Sequence, residues 1–160
     1  MAVISIGKET IELAIQIERN GREFYHTLAG SSRDKEVREV FKRLALMEQE
    51  HENIFRDLLI RLGGYHPAQI HPGEHFQYIK GLADSTLFTR ERARMALNRI
   101  VATDIEAFEI GIGFEKDSIL LYEEIMGLMP PQDRTILEIV ISEEKKHLSE
   151  LAYQASRLRG

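Results

Sequence analysis

Residues 11 to 28, IELAIQIERNGREFYHTL, recur in degenerate form as FEIGIGFEKDSILLYEEI at 108 to 125, and each copy is followed by a Glu-x-x-His. Glu12, Glu18 and Tyr25 fall on Glu109, Glu115 and Tyr122 at a constant shift of 97. Glu48-Gln-Glu-His51 falls on Glu144-Lys-Lys-His147 at a shift of 96, so the halves differ by one residue, most simply placed in the turn inside each half. Two copies of one Glu plus one Glu-x-x-His give six side chains with the composition of a two-metal carboxylate site in a four-helix bundle. A chain that repeats both its helical pattern and its acidic interruptions has few other folds open to it.

The apolar spacing agrees. Ile11, Ala14, Ile15, Glu18, Gly21 and Tyr25 step by three and four, which predicts a helix over residues 5 to 29. Gly30-Ser31-Ser32 supplies a turn and a capping hydroxyl. Val37, Phe41, Leu44, Ala45, Glu48, His51, Phe55, Leu58 and Leu62 then carry a second stripe to Gly63-Gly64. Thr103-Asp-Ile-Glu106 matches a capping box and places a third helix near 104 to 128, ended by Pro130-Pro131. A proline at the first turn suits a fourth helix, whose stripe is Ile136, Leu137, Val140, Ile141, Glu144, His147, Leu148 and Leu151. Short connections make each pair an antiparallel hairpin, and residues 63 to 103 are long enough to cross the bundle. Two short helices are expected in that crossover, around Gly73 to Ala83 and Thr89 to Ile100. The expected fold is all-α: one domain over residues 1 to 160, a four-helix bundle made of two helical hairpins joined by a long crossover.

Within that frame Glu18 lies 13 residues before Ser31 and Glu48 17 after it, while Glu115 lies 15 before Pro130 and Glu144 14 after it. At ~1.5 Å per residue the largest mismatch is ~6 Å, about one turn, so all four carboxylates reach one height. Glu and His at i and i+3 share a helix face, so Glu48 with His51, and Glu144 with His147, can each address one metal pair. Every one of these Glu residues interrupts an apolar stripe. Four carboxylates buried together cost several kcal/mol each unless neutralised, and only Arg22 stands one turn from a candidate ligand on its own helix. Two divalent cations supply the missing +4, and neutral imidazoles complete a nitrogen and oxygen shell suited to iron or manganese, with zinc a further occupant. A charged surface face is the alternative account, and a lone Glu-x-x-His carries little: Glu23-Phe-Tyr-His26 lies about 140° round the helix from Glu18 and reads as a surface pair.

Tyr25 and Tyr122 stand two turns beyond Glu18 and Glu115, either as core residues or as hydroxyl donors steadying the metal carboxylates and carrying electrons. Gly21 and Ser118, three residues after Glu18 and Glu115, leave room for a small oxidant or water, or for close helix packing. Glu12 and Glu109 fall about 120° from the ligand face and mark a surface or subunit contact. His66, His71 and His75 lack ligand spacing and receive no metal role.

Composition removes other classes. Without cysteine there is no disulfide, thiolate metal site, iron–sulfur centre or thiol nucleophile. A net charge of −5 disfavours nucleic-acid binding, and the arginines of Arg90 to Arg99 read as a solvated helix face. No apolar run approaches the ~20 residues that span a bilayer, and the first ten residues lack a basic leader, so a cytoplasmic location without membrane attachment is expected.

With these residues in place, the chain resembles the rubrerythrin-like branch of the ferritin-like superfamily, through IERNGREFY, LALMEQEH, FEKDSILLY and ISEEKKH. The resemblance implies a ferritin-like bundle holding two iron ions, with Glu48 and Glu144 bridging and Glu18, Glu115, His51 and His147 terminal. It implies an oxidoreductase that reduces hydrogen peroxide or dioxygen, or a ferroxidase that handles iron, and it implies a homodimer. Rubrerythrins carry a further carboxylate where this chain has Ser118, and a cysteine-bound iron module that these residues do not contain, so electrons are expected from an external donor. A structural bundle with a vestigial metal site is the remaining alternative.

Overall fold

A computed structural model of the chain describes residues 8–62, 74–85, 103–129 and 131–160. Five α-helices account for nearly all of them: α1 (Lys8–Ser31), α2 (Lys35–Leu62), α3 (Glu74–Ser85), α4 (Asp104–Leu128) and α5 (Arg134–Arg159), with a 3₁₀ turn at Pro131–Asp133. Among the described residues there is no strand, and no helix is long and apolar enough to cross a membrane.

α1 packs along α2 and α4 along α5, giving two antiparallel hairpins. The Ser32 hydroxyl, at the end of α1, donates to Asp104 Oδ1 at the start of α4 over 2.9 Å. That contact sets α4 beside the α1–α2 turn, whereas α2 ends 28 residues further on, ~42 Å at the helical rise. Between α2 and α4 in the chain, α3 stands at the position expected for the first short helix of the crossover. The expected second helix, the arginine patch of residues 90–99, His66, His71 and the side chain of His75 lie outside the described residues.

Side-chain caps mark where α4 and α2 begin. Thr103 closes the expected capping box: its side chain accepts from Glu106 N and the Glu106 carboxylate accepts from Thr103 N, each at 3.2 Å. The first turn differs from expectation. α1 runs through Ser31, and the cap of α2 is Asp34, whose Oδ1 accepts from Glu36 N at 2.8 Å and Val37 N at 3.2 Å. A carboxylate serves this end better than a serine hydroxyl because it also meets the positive end of the helix dipole.

The stripes face inward. Ile11, Ala14, Phe41, Leu44, Phe55, Phe108, Phe114, Leu121, Leu137, Val140 and Leu151 are fully buried. Aromatic rings close both ends of the core. Phe108, Phe41, Tyr25, Phe24 and Phe114 form a chain with centroid separations of 5.0, 6.1, 5.4 and 4.3 Å, and Phe55 meets Tyr122 at 5.1 Å. Edge and stacked geometries of this kind add to the burial of area.

Candidate metal centre

Between those aromatic layers the structure brings all six acidic and imidazole side chains together. Glu18, Glu48, His51, Glu115, Glu144 and His147 are each at most 2% exposed. Two overlapping quartets form, Glu18–Glu48–His51–Glu144 and Glu48–Glu115–Glu144–His147, each with one donor atom per residue and all four atoms within 4.8 Å of one another. Glu48 and Glu144 belong to both quartets. The imidazoles face each other across the cluster with ring centroids 5.5 Å apart and planes 20° from parallel.

Inner atoms are short of partners. Glu18 Oε2, Glu48 Oε1, Glu115 Oε2, Glu144 Oε2 and His147 Nδ1 are buried without a hydrogen bond, although His147 Nδ1 lies 2.9 Å from Glu144 Oε2 and 3.5 Å from Glu48 Oε1. Buried polar atoms are rarely left so, and here they converge on one point. Five atoms, oxygen with one nitrogen, directed into a cavity of shared negative charge, fit hard divalent cations.

The electrostatics of the cluster turn on how its buried carboxylates and imidazoles act on one another. Burial, then the neighbouring Glu144 and Glu18 carboxylates, push the Glu48 carboxyl well above its usual range. Burial and Glu144 likewise raise Glu115 to about 8. Burial opposes charge on His51, but hydrogen bonds to Glu144 and Glu18 outweigh it and push the ring up to about 12. His147 rises for the same reason, burial being outweighed by Glu115, Glu144 and Glu48. Glu144 moves the other way: burial would raise it, but His147 and His51 hold it well below the ordinary carboxylate range. Both imidazoles and the Glu48 and Glu115 carboxyls are thus shifted towards their protonated forms, while Glu144 is shifted towards its ionised form.

Both tyrosines are fully buried and reach across the bundle. Tyr25 of α1 donates to Glu115 Oε1 of α4, and Tyr122 of α4 donates to Glu18 Oε1 of α1. Burial and the nearby carboxylates raise both hydroxyls well above 10, so both remain donors. Gly111, one turn before Glu115, admits the Tyr25 ring: a Cβ there would sit 3.4 Å from its Cε1 and hydroxyl and 3.2 Å from Leu151 Cδ1. Gly21 and Ser118 are buried beside the cluster. Glu12 and Glu109 are exposed and pair with Lys8 and Arg159, while Glu23 and His26 lie on the surface.

Three features escape the pattern of the sequence. Arg22 does not face Glu18; it turns outward to Gln49 Oε1 and Glu52 Oε2. Glu52, next to His51, is only 2% exposed and is enclosed by Arg19, Arg22 and Arg56 at 3.2, 3.1 and 2.6 Å. Glu143 places Oε2 2.8 Å from the outer nitrogen of His51. The i, i+3 spacing of Arg19 and Arg22, and the i, i+4 spacing of Glu52 and Arg56, are signals that look like surface pairs until two helices are docked.

A search of curated proteins and one of solved structures each returned no match. The family model described as Rubrerythrin matches residues 9–154, which spans all four bundle helices and every residue of the cluster. With that match over most of its length, and the ferritin-like bundle around a buried Glu and His cluster, the chain belongs to the rubrerythrin family.

Proposed function

We propose that this protein is a non-haem di-iron oxidoreductase of rubrerythrin type, which holds two iron ions through Glu18, Glu48, His51, Glu115, Glu144 and His147 and reduces hydrogen peroxide or dioxygen. The observation that carries the reading is the pair of overlapping quartets sharing Glu48 and Glu144, with orphaned inner oxygens pointing between them. Two ferrous ions bound there supply the two electrons that turn hydrogen peroxide and two protons into two waters.

The side chains of this protein set the conditions for that chemistry. Glu48 and Glu144, common to both quartets, would be shared by the two ions, and Glu18, Glu115 and the histidines would each serve one. The hydroxyls of Tyr25 and Tyr122 hold Glu115 and Glu18 in place by one oxygen each, leaving Oε2 for a cation. Aromatic layers above and below exclude bulk water. Gly21 and Ser118, buried one turn from Glu18 and Glu115, keep the side chains there small, which suits a small oxidant. Since the 160 residues contain no cysteine, electrons arrive from an external donor.

Metal analysis of protein prepared without oxygen tests the ligand set, and mixing of the reduced protein with peroxide tests the reaction. Two iron ions per chain are expected, lost in Glu48→Ala and Glu144→Ala. One peroxide should be consumed per two ferrous ions, with turnover once a reductant is added. Accumulating ferric mineral in place of turnover would favour the ferroxidase alternative, and protein without stoichiometric metal the structural one.

A further inference from the structure

Among the positions where the repeat relating the two hairpins departs from itself, one touches a histidine of the cluster. Glu48, His51 and their surroundings map onto Glu144 and His147 at a shift of 96, and the same shift maps Glu143 onto Met47. The difference reaches the two imidazoles. His51 Nδ1 faces the cluster, 3.1 Å from Glu144 Oε1 and 3.4 Å from Glu18 Oε2, while its outer nitrogen Nε2 lies 2.8 Å from Glu143 Oε2. His147 also turns Nδ1 inward, towards Glu144 and Glu48, but its outer Nε2 is buried with no hydrogen-bond partner among the described residues. The corresponding side chain, Met47, has no acceptor oxygen to offer.

A ligating histidine that donates its second N–H to a carboxylate has its tautomer and ring orientation set and its basicity raised. Among the described residues, only His51 of the two histidines has such a partner. Building on the di-metal reading above, we infer that Glu143 is a positioning residue that makes the two metal positions unequal, the position served by His51 binding a divalent cation first and more tightly than the one served by His147. Glu143 holds the Nε2 proton and with it the ring orientation, so that when the Nδ1 proton leaves, the lone pair already points into the cluster without a reorientation step. His147 must be ordered by the cation itself. Removal of a partner of this kind weakens metal binding by about tenfold to a hundredfold.

Cobalt(II) is a suitable probe because its visible absorption reports coordination by nitrogen and oxygen without turnover. The full-length protein is titrated anoxically, with folding of each variant verified by its helical circular dichroism. Wild type should bind two cobalt ions per chain in two steps, with the first step lost in His51→Ala and the second in His147→Ala. Glu143→Leu should weaken the first step by about tenfold or more and leave the second within about threefold. Glu143→Gln, whose amide oxygen can accept the same N–H, should bind close to wild type. Unchanged binding in Glu143→Leu, equal weakening of both steps, or a first step that survives His51→Ala would overturn the inference while leaving a two-metal site intact. Failure of the wild type to bind two cobalt ions would instead sink the di-metal reading and this inference with it.

Discussion

Loading the site should release protons, and the number follows from the structure. Four groups in the metal-free cluster are held protonated: His51, pushed up to about 12; His147, raised also; Glu48, raised well above its usual range; and Glu115, raised to about 8. As ligands, both carboxyls must be ionised and both imidazoles must give up the Nδ1 proton that faces the cluster. At pH 7, binding of two divalent cations should therefore release about four protons per chain. The combined affinity for the pair should then fall by a factor of about 10⁴ for each unit of acidification, ~5 kcal/mol at ~1.4 kcal/mol per proton. By pH 9, Glu115 is mostly ionised before metal arrives, and its share of the release should be largely gone. A weakly buffered anoxic titration with ferrous or cobalt ion, followed by an indicator dye, counts the protons directly. Release of one proton or fewer at pH 7, with two metals bound, would refute the charge balance proposed for the empty cluster.

Metal-free protein should lose stability as pH rises. Groups whose folded pKa is raised bind more protons in the native than in the unfolded chain, so the Glu115 contribution is complete below 4.5 and is lost through about 8, and that of His51 is complete below 6.5 and is lost towards about 12. Calorimetry in chelator should show a melting temperature that declines between pH 6 and about 9; a rise over that interval would contradict the assignment. Tyr122→Phe leaves Glu18 Oε1 without its buried donor and should cost ~1–3 kcal/mol, a fall of about 3–10 °C in the melting temperature of the metal-free protein. Glu52→Leu strands Arg19, Arg22 and Arg56 against one another; because the three guanidiniums are partly exposed, urea denaturation should report only ~1–3 kcal/mol, with metal stoichiometry unchanged.

The bundle was legible because its information is local and repeated. A stripe at steps of three and four, interrupted at the same register in both halves by Glu, reports burial and chemistry together, and the third helix begins and ends where Thr103 and the prolines place it. What escaped depends on pairs of helices. Glu52 sits about 100° round α2 from His51, at the edge of the stripe, and by itself reads as solvent-facing; its burial follows from two arginines that α1 brings from 33 and 30 residues away. Glu143 is hidden in the same way, since its partner His51 is 92 residues distant and belongs to the other hairpin. The cap of α2 was missed for a different reason. Ser31, Ser32 and Asp34 are all good capping residues, and local sequence does not rank them when α1 can extend by a turn.

The distribution of donors explains why the chain repeats itself at all. The first hairpin carries Glu18, Glu48 and His51, and the second carries Glu115, Glu144 and His147. Each quartet takes three residues from one hairpin and a single carboxylate from the other: Glu144 joins the first three, and Glu48 joins the second three. Neither hairpin alone completes a four-donor site, and docking completes both at once. The tyrosines follow the same exchange, each donated by one hairpin to a terminal carboxylate of the other. A nearly two-fold arrangement is the cheapest way to satisfy two cations, because one set of side-chain positions, used twice, fixes every distance across the axis. It also puts the whole cost of burying four carboxylates on the interface between hairpins, where cations or protons must be present for the two halves to stay together. The departures from symmetry include Ser118 against Gly21, Gly111 against Ala14 and above all Glu143 against Met47, and they are places where the surroundings of the two quartets differ.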